Sequence, residues 1–186
     1  MTTTARSPLF VFCPYCRTKL ESMEEGGQSR PRCPACGYTQ YLNPAPGAGV
    51  IIMRGQEVCL VQRKFSPRKG LWTLPTGFME WDETISQTAV REVKEETGLD
   101  VELTALHEVE TGMLPPAQPV LVVFFTAREC GGELRPGDDA AAVGFYRLDA
   151  LPGPIAFGAH RRVLAELAAQ QGILLDPVAP VEGDAS

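Results

Sequence analysis

The segment from Gly77 to Leu99, GFMEWDETISQTAVREVKEETGL, constrains the fold more than any other part of this chain. Residues Thr84 to Thr97 contain neither proline nor glycine, and Gly98 follows at the position where glycine commonly ends a helix. The sequence therefore predicts a helix over 84–97. Runs of β-branched and aromatic residues flank it on both sides, so the helix is expected inside an α+β domain.

The flanking segments predict a mixed sheet and a second helix. Residues 50–63 form two β-rich runs around Gly55-Gln56, which indicates a hairpin. FGAHRRVLAELAAQQG, residues 157–172, has apolar residues at helical spacing and ends on a glycine. Further strand-like runs lie at residues 101–113, 120–130 and 143–151. Together they predict an α/β/α sandwich around a mixed sheet.

Length and charge exclude several classes of protein. The 186 residues suffice for one well-buried domain with a small appendage. No apolar run approaches the ~20 residues of a membrane span. The net charge of −6 disfavours general binding to nucleic acid. The first residues, MTTTARSPLF, lack the apolar core of a secretory signal, which predicts a cytoplasmic protein.

Proline and glycine in YLNPAPGAG mark a connector between two parts of the chain. The predicted organisation is a flexible N-terminus at 1–12, a cysteine module at 13–42, a main domain at 47–172 and a flexible tail at 173–186.

Four of the six cysteines form two C-x2-C pairs, Cys13/Cys16 and Cys33/Cys36, separated by sixteen residues. This spacing is typical of a structural zinc site, in which each pair points two sulfurs at one ion. The alternative, two disulfides, is disfavoured by the intracellular context. The intervening segment, 17–32, is expected to be a loop with a weak basic patch. Cys59 and Cys130, inside apolar runs, are predicted to be reduced core residues.

On a helical projection, Ile85, Ala89, Val90 and Val93 define the packing face of the predicted helix. Glu92, Glu95 and Glu96 fall at the edge of that face and are expected to point inward. Gln87, Arg91 and Lys94 fall on the opposite side. Clustered carboxylates at a packed edge require raised pKa values or a bound cation. Oxygen ligands of this kind select Mg²⁺, Mn²⁺ or Ca²⁺.

This segment resembles the Nudix box, G-x5-E-x7-R-E-U-x-E-E-x-G-U, where U is aliphatic. It matches at every fixed position: Gly77, Glu83, Arg91, Glu92, Val93, Glu95, Glu96, Gly98 and Leu99. An N-terminal zinc ribbon joined to such a domain is similar to the branch that contains NADH, FAD and ADP-ribose pyrophosphatases. The resemblance implies a Nudix sandwich and hydrolysis of a phosphoanhydride bond.

The resemblance also implies roles for the residues of the box. Glu92, Glu95 and Glu96, with the Gly77 carbonyl, would bind catalytic Mg²⁺ or Mn²⁺. Glu83 would lie near the metals or pair with Arg91. The proton of the attacking water would pass to Glu92 or to an acid of a later loop, Asp138 or Asp139.

The substrate expected from the resemblance is a nucleoside diphosphate linked to another moiety, and the product a nucleoside monophosphate. ADP-ribose or FAD-type dinucleotides are favoured. The NADH alternative lacks the SQPWPFPxS signature after the box, whereas Pro115 lies at the offset associated with ADP-ribose pyrophosphatases. Nucleoside triphosphates are another alternative. The non-enzymatic alternative is a Nudix-fold regulator that binds nucleic acid, although such a protein would not need the glutamates.

Four residues near the box are candidate substrate contacts. Arg63 and Arg68 are candidates for holding phosphates, and Phe78 and Trp72 for stacking on a base. A solvated loop accounts equally well for Arg68, and a core position is favoured for Trp72. Relatives often form dimers, so a homodimer is consistent with the resemblance.

Overall fold

The computed structural model describes residues 10–114 and 118–175. Its internal contacts divide into two compact units, one ending at Asn43 and the other beginning at Pro44. This division falls within the predicted connector. Three predictions lie wholly or largely outside the described residues: the flexible ends 1–12 and 173–186, and the role of Pro115.

The first unit contains a β-hairpin between the two cysteine pairs. Strand β1, Glu21–Glu25, pairs antiparallel with β2, Gln28–Arg32. Gly26 and Gly27 connect them with φ values of 60° and 78°, which suit a two-residue hairpin turn. The expectation of a loop over 17–32 was therefore wrong for most of that segment, because the glycine pair allows the chain to reverse tightly.

The described part of the second unit contains seven strands and two helices. They are β3 Ala45–Arg54, β4 Glu57–Arg63, β5 Trp72–Thr73, β6 Thr76–Phe78, α1 Ile85–Thr97, β7 Leu99–Leu114, β8 Gln118–Gly132, β9 Ala140–Arg147 and α2 Gly158–Gln170. The sheet has the order β5-β4-β3-β8-β7, with β6 paired to β3 and β9 to β4. Strand β3 is parallel to β8, and β7 is antiparallel to β8. The predicted α+β class with a mixed sheet is confirmed.

The sheet is covered by a helix on each face. Along β3, Ala48, Val50 and Ile52 are buried in the cluster that includes Ala89 and Val93 of α1. Ile51 of the same strand is buried in the cluster that includes Val163 and Leu164 of α2. Side chains that alternate along a strand point to opposite faces, so β3 belongs to both cores. Cys59 is buried as predicted, whereas Cys130 is exposed, which contradicts its predicted core position.

Both predicted helices form, and α1 has defined ends. Thr84 is its N-cap and forms a reciprocal capping box with Gln87. Gly98 ends α1 in the left-handed region, at φ 75°, as expected. Val90, predicted on the packing face, is 39% exposed. Within the described ranges no helix has the length and apolar content needed to cross a bilayer.

Replacement of Gly98 by alanine is expected to destabilise the domain more than the same change at Gly55. Both glycines have positive φ, 75° and 62°. A methyl group at Gly98 would lie 2.4 Å from the Glu133 carbonyl oxygen, whereas nothing lies within 4 Å at Gly55. We expect Gly55→Ala to lower the free energy of unfolding by about 1–2 kcal/mol and Gly98→Ala by more. Urea denaturation measures both, and equal losses would contradict the steric account.

Candidate active site

Arg91 of α1 lies at the centre of a network of acceptors. Its Nε and Nη2 atoms donate to the two carboxylate oxygens of Glu83 at 3.0 and 2.7 Å. Its Nη1 donates to Glu92 at 2.7 Å and to Glu95 at 2.9 Å. Its Nη2 also donates to the Phe78 carbonyl oxygen at 3.0 Å. One guanidinium therefore joins α1 to the segment that precedes the helix.

Glu83 is held as an ionised carboxylate. Besides Arg91, the Thr88 hydroxyl and the Glu80 amide each donate to its Oε1 at 2.8 Å. The hydrogen bonds from Arg91 lower the pKa of Glu83 to about 2. The structure therefore brings Glu83 and Arg91 together, one of the two arrangements expected from the sequence.

Glu96 has the opposite electrostatic character. It is 9% exposed and accepts a hydrogen bond from the Thr76 amide at 2.9 Å. Burial raises the pKa of Glu96 to about 8. Burial also raises the pKa of Glu92, against the opposing effect of Arg91. Two carboxylates that lose solvation on adjacent turns of one helix favour the binding of a cation.

Gly77 lets strand β6 approach Glu92 closely. A Cβ atom at Gly77 would lie 2.0 Å from the carboxylate carbon of Glu92. Any other residue would displace that carboxylate. The glycine of the box is therefore required for the observed packing, independently of any role of its carbonyl group.

The helical projection was wrong about Glu95 and Arg91. The Glu95 side chain is 58% exposed, and Arg91 is partly buried among the acids instead of turning away. The long arginine side chain reaches across the helix surface, which a projection of Cα positions does not describe. Among the described residues, the carboxylate oxygens of Glu92, Glu95 and Glu96 do not all lie within 4.8 Å of one another.

The loop that follows β8 packs against the end of α1. The Arg135 amide donates to the Thr97 carbonyl at 2.9 Å, and the Gly137 amide to the Glu96 carbonyl at 3.1 Å. A Cβ atom at Gly137 would lie 1.6 Å from the Glu95 carbonyl oxygen, so this contact requires glycine. The two candidate acids Asp138 and Asp139 therefore follow a loop that is anchored on the glutamate helix.

Asp139 is the loop acid that acts electrostatically on the site. Burial is the main cause of the raised pKa of Glu96; the hydrogen bond from the Thr76 amide and the charge of Arg63 oppose it, and the charges of Glu92 and, least, Asp139 add to it. Lys64 binds the backbone of both loop acids. Its amide donates to the Asp139 carbonyl at 3.0 Å, and its Nζ donates to the Asp138 carbonyl at 2.9 Å.

Arg63 lies close to the same acids. Its Nε donates to the Pro67 carbonyl at 2.9 Å, and its guanidinium lies 5.2 Å from the centre of the Phe157 ring. Burial lowers the pKa of Arg63, while the charges of Glu96 and Asp139 oppose that change. A partly buried arginine near the carboxylates is suitably placed to contact an anionic ligand.

The other three candidate substrate contacts differ in position. Trp72 is 8% exposed and packs edge-to-face on Tyr146 at 4.9 Å, so it lies in the core and its position does not suit stacking on a base. Phe78 is 45% exposed next to Gly77. Arg68 lies in the loop after β4, with φ 64°.

Sequence reasoning missed His160 of α2. It is buried, and its Nδ1 accepts from the Leu74 amide at 3.2 Å and lies 2.9 Å from the Thr73 hydroxyl oxygen. Burial, with the charge of Arg63, lowers the pKa of His160 to about 3, so the imidazole is neutral. Its helical position predicts a buried residue, but only the fold reveals its neighbours. Thr76 and Thr88 were missed for the same reason.

The four paired cysteines converge in the first unit. Their Sγ atoms all lie within 4.8 Å of one another, and three of the separations are 3.3, 3.6 and 3.6 Å. A disulfide requires about 2.05 Å, whereas sulfurs around tetrahedral zinc are about 3.8 Å apart. The two pairs have matching backbone turns, in which Arg17 and Gly37 donate to the carbonyls of Cys13 and Cys33. This donor set fits a tetrahedral zinc ion.

Comparisons with known proteins identify the family of the main domain. Residues 43–167 match the family model described as NUDIX domain. An ADP-ribose pyrophosphatase of Methanocaldococcus jannaschii is 38% identical over 132 residues, which cover 69% of this chain and 76% of that protein. The NAD-capped RNA hydrolase NudC of Pseudomonas aeruginosa is 33% identical over 173 residues, which cover 91% of this chain. A crystal structure of a NUDIX hydrolase from Nitrosomonas europaea has a TM-score of 0.75 and 30% identity, and covers 89% of this chain and 96% of that one.

These similarities confirm the predicted fold of the main domain, including the glutamate segment. The matched range, 43–167, lies outside the cysteine module. The chain spans 59% of the length of the Pseudomonas hydrolase.

Without added divalent metal, the free energy of unfolding is expected to fall as the pH rises from about 4.5 to about 8. Burial raises the pKa of Glu96 from its ordinary value of 4.5 to about 8. Over that window the folded protein keeps a proton that the unfolded chain has released, so rising pH favours unfolding. Glu96→Gln removes this titration and should gain stability over wild type, on the order of a few kcal/mol, across the window.

Urea denaturation at several pH values measures this difference. The control is Glu102→Gln, which changes an exposed carboxylate on β7 that is paired with Arg128. If the difference in the free energy of unfolding between wild type and Glu96→Gln did not depend on pH, the raised pKa of Glu96 would be refuted.

Proposed function

Because the chain belongs to the Nudix hydrolase family, we propose that it hydrolyses a nucleoside diphosphate linked to another moiety and releases a nucleoside monophosphate. The observation that carries this proposal is the pairing of two desolvated carboxylates, Glu92 and Glu96, on one helix beside Gly77. The predicted enzyme class agrees with relatives that are named as pyrophosphatases.

The residues present fit a catalytic divalent cation. Glu96 is buried, yet it forms no ion pair with any residue that the structure describes. Glu92, Glu95 and Glu96 offer the oxygen ligands that Mg²⁺ and Mn²⁺ prefer. When bound, such an ion neutralises the diphosphate charge and lowers the pKa of a coordinated water. Arg91 positions Glu92 and Glu95, and Glu83 fixes Arg91 in turn.

Residues outside the metal ligands would bind the substrate and accept the proton of the attacking water. We assign the neutralisation of phosphate charge to Arg63, supported by its partly buried position near Glu96 and Asp139, and contact with the base or the linked moiety to the exposed Phe78 ring. Water attacks one phosphorus atom, the bridging P–O bond breaks, and the second phosphate leaves with the linked moiety. Asp139 accepts the proton of that water. Glu92 is less suited, because Arg91 donates a hydrogen bond to it and it is one of the proposed metal ligands.

ADP-ribose is the first candidate substrate, because the pyrophosphatase of M. jannaschii covers most of the main domain at 38% identity.

An NAD-capped RNA is the second candidate substrate. A match over 91% of this chain must include Cys33 and Cys36, so the similarity to the Pseudomonas hydrolase extends into the cysteine module. Tyr15 of that module is 80% exposed and offers a ring for stacking on a base, whereas the Arg30 guanidinium lies over the ring of Tyr41. The expectation that nucleic acid is disfavoured as a partner therefore stays untested, as do the FAD-type substrate that was favoured together with ADP-ribose, the homodimer and the cytoplasmic location.

Glu96→Gln is expected to lower metal-dependent turnover by about 10²–10⁴-fold on the preferred substrate, because it removes a charged ligand at the reacting centre. The measurement, with Mg²⁺ or Mn²⁺, is release of AMP or phosphate from ADP-ribose, FAD, NADH and triphosphates, and release of nicotinamide mononucleotide from NAD-capped RNA. Glu102→Gln serves as the control and should turn over at the wild-type rate. Equal turnover by Glu96→Gln, or no turnover of any substrate by wild type, would refute the proposal. Faster hydrolysis of NAD-capped RNA than of ADP-ribose would select the second candidate.

Asp139→Asn is expected to lower kcat by about 10²–10⁴-fold with little change in KM, because it removes the proton acceptor. The matched control is Asp138→Asn on the neighbouring residue, whose backbone carbonyl binds Lys64. Steady-state kinetics as a function of pH separates the two variants. In wild type and Asp138→Asn, kcat should rise with pH as the proton acceptor ionises, and only Asp139→Asn should lose that rise. Equal effects of the two changes would assign the base elsewhere.

The cysteine module is proposed to hold one structural zinc ion. Strand β1 is exposed along its whole length, so the hairpin lacks a core that would stabilise it. Four protein ligands close the coordination shell, which assigns the ion no part in the hydrolysis. Metal binding would then supply the folding free energy of this unit.

Elemental analysis of the purified protein should find at least one zinc per chain, and Cys33→Ser should contain one zinc fewer than wild type, because a buried ligand is removed. Cys130→Ser is the control, since Cys130 lies outside the cluster. A zinc content that is unchanged in Cys33→Ser, or two disulfides detected by mass spectrometry, would contradict the zinc proposal.

A further inference from the structure

A second group of metal-ligating side chains lies on the opposite face of the sheet from the glutamates of α1. His107 and Glu108 belong to β7, and Glu166 belongs to α2. One ligand atom of each residue lies within 4.8 Å of the other two. These residues take no part in the proposed hydrolysis, so the group needs a separate explanation.

A β-bulge places His107 and Glu108 together. Neighbouring residues of a regular strand point to opposite faces. In β7, Leu106 pairs with Phe125 and Glu108 with Phe124, so His107 is an extra residue. Phe124 belongs to the core on the α2 side, which puts Glu108 on that side too. The bulge turns His107 toward the same helix, where it faces Glu166.

The imidazole of His107 has a buried nitrogen that no described residue satisfies. Its Nε2 atom is inaccessible to solvent and has no hydrogen-bond partner among the described residues. The facing Oε2 of Glu166 is 3.8 Å away, too far for a hydrogen bond. The other oxygen of Glu166 accepts from Gln170 at 3.0 Å, which orients the carboxylate. Nitrogen and oxygen ligands of one tetrahedral zinc ion are about 3.4 Å apart. The 3.8 Å between His107 Nε2 and Glu166 Oε2 is close to that distance.

We propose that His107, Glu108 and Glu166 form a binding site for a divalent transition metal of the Zn²⁺ class. Imidazole nitrogen with carboxylate oxygens suits zinc, whereas Mg²⁺ prefers oxygen ligands alone. Three protein ligands leave one position for water. Glu110 of β7 and Arg162 of α2 already form an ion pair at 2.7 Å nearby. The metal therefore adds a second link between the edge strand and the helix that covers it.

The chain has two histidines, which makes the imidazole NMR signals a direct probe. The whole protein is first given one equivalent of Zn²⁺ for the cysteines and excess Mg²⁺ for the oxygen-ligand site. Further Zn²⁺, added above neutral pH, is expected to shift the His107 signals and to saturate after one more equivalent. The His160 signals should not move, because that ring is buried against Thr73 and Leu74.

The variant Glu108→Gln/Glu166→Gln keeps the size of both side chains and removes their charges. It should bind the additional Zn²⁺ at least about tenfold more weakly, since even the loss of a partner of a metal ligand costs about 10–100-fold. Glu102→Gln on the same strand should bind it like wild type. Unchanged His160 signals show that each variant is folded, and Glu166→Gln alone is the substitute if the double variant is not. His107 signals that respond to pH but not to Zn²⁺, or equal affinity in the charge-removing variant, would overturn the proposal.

Discussion

The hydrogen bonds of Arg91 are the interaction on which the candidate active site depends. One guanidinium binds Glu83, Glu92, Glu95 and the Phe78 carbonyl, so it links the helix to the turn that leads into it. Without that cation the three carboxylates would repel one another on a partly buried surface. A planar fork with several donors can bind them all at once, which the single ammonium of a lysine cannot. Glu96, one turn beyond Glu92, forms no ion pair with any described residue, although the charge of Arg63 acts on it.

Glu83 accepts hydrogen bonds from Arg91 and Glu96 does not, so these two acids of one short segment have different electrostatic environments. Arg91 keeps Glu83 ionised, whereas burial raises the pKa of Glu96 well above its ordinary value. Carboxylates whose pKa values are moved apart by their surroundings are typical of sites with divided roles. Here Glu83 holds the arginine, while Glu96 is destabilised as an anion until a cation approaches. The loop that carries Asp139 packs on the same helix end, so the proposed proton acceptor and the proposed metal ligands share one rigid support.

Much of the fold followed from local rules in the sequence. Thr84 and Gly98 fix the ends of α1, and Gly55 fixes the hairpin of β3 and β4, because each residue acts on the backbone next to it. The hairpin around Gly26-Gly27 had a similar local signal but was expected to be a loop. Cys130 was assigned to the core by its apolar neighbours, yet the strand that carries it extends into solvent there. Burial depends on what covers a strand, and neighbouring residues do not determine that.

The sequence by itself determined the spacing of the Nudix box, the pairing of four cysteines and the helix that presents Glu92, Glu95 and Glu96. These features are periodic or local, so the order of residues specifies them. Only the tertiary structure decided that Arg91 turns toward the acids and Glu95 toward solvent, and that the loop leading to Asp139 packs against the end of α1. It also decided that a bulge turns His107 toward Glu166. Each of these outcomes depends on segments distant in sequence that fold against one another, because burial and charge act through space and not along the chain.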